Sequence, residues 1–160
     1  MTYNYGLAYG LLALAPFMML LELGLDRLSR HRKSGVYHKT MRKGVDGLKA
    51  LSWQEFEHFC AGYFKKKGYS VKMMGLGGAD DGMDLLIKRG GKEAVVQCKH
   101  WKGRVGVGVV REMYGLMHAK NHEQIFIVAL SGYTKAAFEW AKGKPIRLIT
   151  GYELVRNGQS

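Results

Sequence analysis

Apolar positions fall along the chain in two ways: one long run near the start, interrupted by Pro16 and Glu22, and a series of short periodic segments after residue 50. From Gly6 to Leu25 the sequence reads GLAYGLLALAPFMMLLELGL. At helical rise these about 20 residues match the hydrocarbon thickness of a bilayer. The periodic part opens with Ser52 and Glu55 in an S-x-x-E capping box, and with Leu51 and Phe56 at the staple positions. Trp53, Phe56, Phe59, Cys60, Tyr63 and Phe64 then recur at helical spacing and predict a helix that runs to about Lys67 and stops at Gly68. Glu57 falls on the flank of that apolar stripe, beside Trp53 and Phe64. Two readings fit it: an edge glutamate whose stem covers apolar surface, or a carboxylate placed for a task.

A short apolar run from Tyr69 to Met74 follows, then the glycine-rich GLGGADDG, then two strand-like segments separated by Gly90 and Gly91. With these glycines as the two central residues of a type I′ turn, Arg89 pairs with Lys92, and counting back pairs Asp84 with Gln97. Directly opposed residues share a face, and Lys99, two positions further along, shares it too. Ala94, Val96 and Cys98, of the other parity, are apolar and suited to a core. Asp84 and the Gln97 carbonyl could serve a hard cation, Mg²⁺ being the natural candidate. Lys99 would lie beside it, able to orient a water or to stabilise charge on a phosphoryl group. An ordinary edge hairpin with a solvated polar face fits the same spacing.

The length of 160 residues suits one domain, and the formal net charge of +12 makes polyanions eligible partners, whether nucleic acid or an acidic lipid surface. Cys60 and Cys98, the only cysteines, sit inside apolar-periodic segments, which reads as buried thiols in a reducing compartment. Tyr3, Tyr5 and Tyr9 precede or enter the Gly6 to Leu25 run, and Arg27, Arg30, Arg32 and Lys33 follow it. This is the pattern of a single-pass membrane helix with the C-terminal side in the cytoplasm. The chain lacks the positive n-region and the small-residue cleavage site of a signal peptide. The reading is therefore a membrane anchor over 1–26, a basic linker over 27–50 that touches anionic headgroups, and one further domain over 51–160. His100, His118 and His122 have no carboxylate or cysteine at metal-ligand spacing, which argues against zinc. Trp101, Tyr133 and Trp140 are read as core aromatics before base-stacking ones. No P-loop or Ser/His/Asp arrangement is present in the sequence.

Several motifs taken together carry a resemblance: L-S-W-Q-E-F-E at the first helix, K-K-G-Y at its end, D-x-G-x-D-L from Asp81 to Leu85, Q-C-K-H-W, and GYEL near the C-terminus. Over roughly Leu51 to Gly158 the chain resembles the catalytic domain of Mrr-like restriction endonucleases, within the PD-(D/E)xK nuclease superfamily. The resemblance implies that Asp84 is the metal-binding aspartate and that Gln97 stands where the superfamily usually has an acid. It also implies that Lys99 is the motif lysine and Glu57 the acidic residue of the first helix. Asp81 and Gly82 match the loop before the metal site.

With that family in view, the rest reads as α/β: a helix from about Val107 to Lys120, the strand QIFIVAL, a helix from Thr134 to Lys142, and the strand IRLIT parallel to QIFIVAL. The expected fold is a mixed central sheet flanked by helices, a restriction-endonuclease-like core, preceded by one transmembrane helix. Arg104 or Arg111, near the opening of the Val107 helix, could face phosphate. The expected function is a membrane-tethered DNA endonuclease that uses Mg²⁺, or Mn²⁺ in its place, to hydrolyse phosphodiesters, in restriction of foreign or modified DNA. DNA and the membrane are the expected partners, and double-strand cleavage with one site per chain would favour a homodimer. The alternatives are a catalytically lapsed nucleic-acid-binding module of the same fold and a basic membrane-associated scaffold.

Overall fold

In a computed structural model of the chain, residues 20–21, 36–74 and 82–158 are described. The chain divides into two units, Met1–Val36 and Tyr37–Ser160. In the second unit one five-stranded sheet is formed by β1 (Ser70–Met73), β2 (Leu85–Arg89), β3 (Lys92–Lys99), β4 (Ile125–Ala129) and β5 (Ile146–Thr150), lying side by side in that order. β1, β2 and β3 pair antiparallel, and β3, β4 and β5 pair parallel. The helices are α1 (36–49), α2 (Trp53–Lys66), α3 (Val107–Ala119), α4 (Lys135–Ala141) and α5 (Gly151–Gly158). The fold is the expected mixed α/β one, with IRLIT parallel to QIFIVAL.

Alternation along the strands divides the apolar residues between two layers. Ala94, Val96 and Cys98 pack with Phe56, Phe59, Cys60 and Phe64 of α2 and with Leu154 of α5. Val95, Ile125 and Ile127 pack on the other face with Val110, Met113 and Met117 of α3 and Ala137 of α4. β4 is buried at every position because both of its faces are covered, which is why IFIVA reads as a continuous apolar run without alternation.

The helix ends follow local chemistry. Ser52 caps α2 in a complete capping box: the Glu55 carboxylate accepts from the Ser52 amide at 2.8 Å, and the Ser52 hydroxyl accepts from the Glu55 amide at 3.3 Å. The same device recurs unforeseen at α5, where Glu153 accepts from the Thr150 amide at 2.8 Å and the Thr150 hydroxyl accepts from the Glu153 amide at 3.2 Å. The T-x-x-E signature was present in the sequence, but the following apolar run is too short to display a helical period.

Two expectations change. The stretch read as a basic linker is helical over 36–49, with Gly44 at φ +64°, and buries Met41 and Leu48 in the α2 layer of the core. Its Lys and Arg residues masked two widely spaced apolar anchors. The single-pass membrane placement, with its C-terminal domain in the cytoplasm, is also corrected: among the described residues no helix is long and apolar enough to cross a membrane. A span needs about 20 apolar residues. α2 has 14 and carries Glu55, Glu57, Lys65 and Lys66. Of the Gly6 to Leu25 segment only Leu20 and Leu21 are described; the rest lies outside the described residues.

Candidate functional site

The hairpin between β2 and β3 has the register that its glycines predict. Gly90 and Gly91 adopt φ +58° and +78°, left-handed values that other residues take at a cost. Arg89 faces Lys92, and the ladder continues to Leu85 opposite Val96. One step further, Asp84 and Gln97 meet through their side chains: Gln97 Nε2 donates to Asp84 Oδ2 at 2.7 Å. The ladder ends here because the Asp84 carboxylate takes over a backbone partner. Cys98 N–H donates to the same Oδ2 at 2.5 Å, where a continued antiparallel ladder would present the carbonyl of residue 83. This amide is invisible in the sequence, since backbone donors leave no trace in residue identity.

Gln97 is only 4% exposed. With its amide nitrogen directed to Asp84, its Oε1 is buried without a hydrogen-bond partner among the described residues. Such an oxygen is costly to bury and calls for a donor or a cation. Gly82 keeps the space beside it open. A Cβ on Gly82 would lie 3.1 Å from Gln97 Oε1, and its φ of +70° independently favours glycine. Asp81, the other residue singled out in this loop, lies outside the described residues.

Lys99 is half-buried, with Nζ 5.2 Å from the centroid of the exposed Trp101 ring. Its charge reaches Asp84 through space without a direct ion pair. Glu57, read at the edge of its helix, is buried. Burial, reinforced by the Asp84 charge, pushes its carboxyl up to about 7. Burial also raises Asp84, against the opposing effects of the Cys98 amide and Lys99. The four predicted residues are therefore gathered around Asp84: it touches Gln97, its carboxyl is lowered by the Lys99 charge, and its own charge raises Glu57. Gln97 and Lys99 belong to the β3 parity facing α3, whereas α2 brings Glu57 from the Cys98 side. Asp84, at the ladder's end, is reached from both.

Cys60 and Cys98 are free and buried, as read. A hydrogen bond that the protonated Cys98 thiol makes to Cys60, together with burial, raises the Cys98 thiol well above its usual range. His100 is a satisfied histidine, its Nε2 2.9 Å from the Leu48 carbonyl and its ring against Phe56. Among the described residues no group of three or more His, Cys, Asp or Glu could hold a metal ion. Of the aromatics, Tyr133 is buried and Trp140 packs against Tyr114, whereas Trp101 is exposed.

The sequence pattern of the Mrr_cat family, described as restriction endonuclease, matches residues 48–157. The chain belongs to this restriction endonuclease family. The Mrr_cat match begins at Leu48, the α1 residue buried in the core. Among solved structures, the chain is similar to a protein of unknown function, AF1548, with a TM-score of 0.54 and 16% identity over 64% of this chain and 64% of that one. It is also similar to the DNA modification-dependent restriction endonuclease AspBHI, with a TM-score of 0.52 and 14% identity over 77% of this chain and 34% of that one. The MspJI restriction endonuclease, in complex with a 27-mer oligonucleotide, matches at a TM-score of 0.43 and 20% identity over 60% and 24%. The chain spans less than two thirds of the length of each of these proteins. No curated protein matches it.

Proposed function

We propose that this chain is a DNA endonuclease that hydrolyses phosphodiester bonds with a divalent cation, Mg²⁺ or Mn²⁺, held by Asp84 and Gln97. The observation that carries the reading is the buried Oε1 of Gln97, without a partner among the described residues, beside the Asp84 carboxylate. One anionic and one neutral oxygen are the donors that a hard cation takes, and they fit it better than they fit a soft metal. When bound, the cation supplies Lewis acidity toward phosphoryl oxygen.

The chain's own residues do the rest. The Gln97 amide and the Cys98 N–H hold Asp84 in one orientation, so the carboxylate is preorganised. Lys99, which has no ion pair among the described residues, offers its ammonium to the scissile phosphate or to the attacking water. Glu57, poised near neutrality, is able to exchange a proton at working pH. The net charge of +12 supplies the general attraction to phosphate. The catalytic domain begins within α1, whose Met41 and Leu48 complete the core. Restriction of foreign or modified DNA is the biological setting this activity would suit.

Plasmid nicking by the full chain, with Mg²⁺ or with EDTA, tests the proposal. Asp84→Ala and Lys99→Ala should each lower Mg²⁺-dependent nicking by roughly 100-fold or more, by analogy with the loss of one transition-state donor. DNA affinity should change little, because it is spread over many Lys and Arg contacts. Gln97→Glu should retain activity or shift its metal preference. Independently of activity, Mg²⁺ should raise the melting temperature of the parent chain and leave that of Asp84→Ala unchanged. A parent chain that binds DNA yet nicks neither modified nor unmodified substrate with Mg²⁺ or Mn²⁺ would make it a binding module of the same fold.

A further inference from the structure

A second feature lies on the same edge of the sheet as Lys99. A cleft of about 780 Å³ opens at the carboxyl ends of β4 and β5, floored by the turn from Leu130 to Tyr133 and by Thr150. Lys99, Ala129 and Thr150 share one register across β3, β4 and β5. The cleft floor is thus one and two strand positions from Lys99, about 5 and 10 Å.

Cations and rings line it together. Arg104 is held at its rim because the adjacent Val105 bridges Tyr133, with Val105 N–H on the Gly132 carbonyl at 2.9 Å and Thr134 N–H on the Val105 carbonyl at 3.0 Å. Lys135 enters from α4. Two other charges of the lining are already engaged: Lys49 with Asp46 at 2.9 Å and Glu139 with Lys142 at 2.8 Å. Arg104 and Lys135 have no ion pair among the described residues. Phe138 is 42% exposed, with its ring 5.4 Å from that of the buried Tyr133, whose hydroxyl donates to the Ile127 carbonyl and, at 3.3 Å, to the Ile149 carbonyl. Tyr152 is 64% exposed, with the Arg156 guanidinium 5.7 Å from its ring centroid.

We propose that this cleft seats one unstacked nucleotide of a single strand, its base against Phe138 and Tyr152 and its phosphate at Arg104 and Lys135. Exposed rings beside unpaired cations on a fixed floor are the elements of a single-strand binding surface. A bare anion would leave the rings unused, and an apolar ligand would strip water from the two cations without pairing them. Bases in an intact duplex already stack on one another. The inference rests on the nucleic-acid reading above but not on cleavage.

The test is fluorescence anisotropy of the full chain carrying Asp84→Ala, in EDTA, with labelled oligothymidine and with a duplex of equal length. Tyr152→Ala and Phe138→Ala should each weaken oligothymidine binding roughly 5- to 150-fold, the usual range for losing one base-stacking ring. The duplex should lose clearly less, and Phe138→Tyr should bind like the parent. Arg104→Gln and Lys135→Gln should each lower the salt dependence of oligothymidine binding by about one phosphate contact. Phe138→Ala removes a neighbour of buried Tyr133, so Tyr152→Ala, whose side chain is mostly in solvent, is the deciding variant. Unchanged oligothymidine affinity in Tyr152→Ala, or equal losses for oligothymidine and duplex, would overturn the proposal. If these losses appear but the parent never nicks DNA, only the cleavage reading falls. If nicking is intact and the losses are absent, only the cleft reading falls.

Discussion

At the scale of single residues, Glu57 links stability to pH. Its carboxyl is pushed up to about 7 by burial and by the Asp84 charge, whereas an unfolded glutamate titrates near the ordinary value of 4.5. The folded state therefore holds a proton that the unfolded state has released between these two pH values. The stability contributed by protonated Glu57 is fully present below about 4.5 and is lost as pH rises through about 7. In EDTA, the parent chain should lose roughly 1–2 kcal/mol across that window, a figure reduced for solvent screening. Glu57→Gln, which cannot ionise, should lose less over the same window and be the more stable of the two at pH 8. Denaturant melts at a series of pH values check this, and parallel curves for the two proteins would mean that Glu57 titrates normally. The helical angle identified Glu57 as out of place on its apolar flank, but its depth in the fold depends on Asp84 and β3, which lie far along the chain.

At the scale of elements, the hairpin turn and the alternating core residues both favour the site's register. Gly90 and Gly91 have open space where a Cβ would be, so any cost of substituting them is conformational and comes from their positive φ. The double variant Gly90→Ala, Gly91→Ala should lose roughly 2–4 kcal/mol of stability, at 1–2 kcal/mol per residue forced into the left-handed region. Below its melting temperature it should keep the parent's Mg²⁺-dependent nicking, because the alternating core residues Ala94, Val96 and Cys98 hold the register from the other face. Thermal melts with nicking assays at low temperature would check both halves, and a folded variant that has lost nicking would mean that the turn alone positions Asp84 against Gln97. The turn could be read from the sequence because its two residues are consecutive. By contrast, α1 could not: its buried apolar side chains, Met41 and Leu48, are seven apart among Lys, Arg and Gly, and such a pattern resembles a solvated linker.

At the scale of the molecule, α1 packs into the same core as α2. A fragment starting at Leu51 lacks Leu48 and Met41, each buried in the α2 layer, and at about 1.5–3 kcal/mol for each buried side chain it should be several kcal/mol less stable than a fragment starting at Tyr37. It also lacks the Leu48 carbonyl that meets His100 next to Lys99. Thermal melting of the two fragments would measure the difference, and equal melting temperatures would show that α1 is dispensable. The sequence by itself determined the features written in consecutive or periodic residues: the capped α2, the glycine turn and its register, the pairing of Asp84 with Gln97, and the parallel β4 and β5. These follow from backbone sterics and from the period of side-chain direction, which act over a few residues. Only the tertiary structure decided how deeply Glu57 is buried, that the Cys98 amide holds Asp84, that Gln97 Oε1 lacks a partner among the described residues beside Gly82, and that Arg104, Lys135, Phe138 and Tyr152 share one cleft. Those outcomes depend on burial and on contacts between residues tens of positions apart, and no local period encodes them.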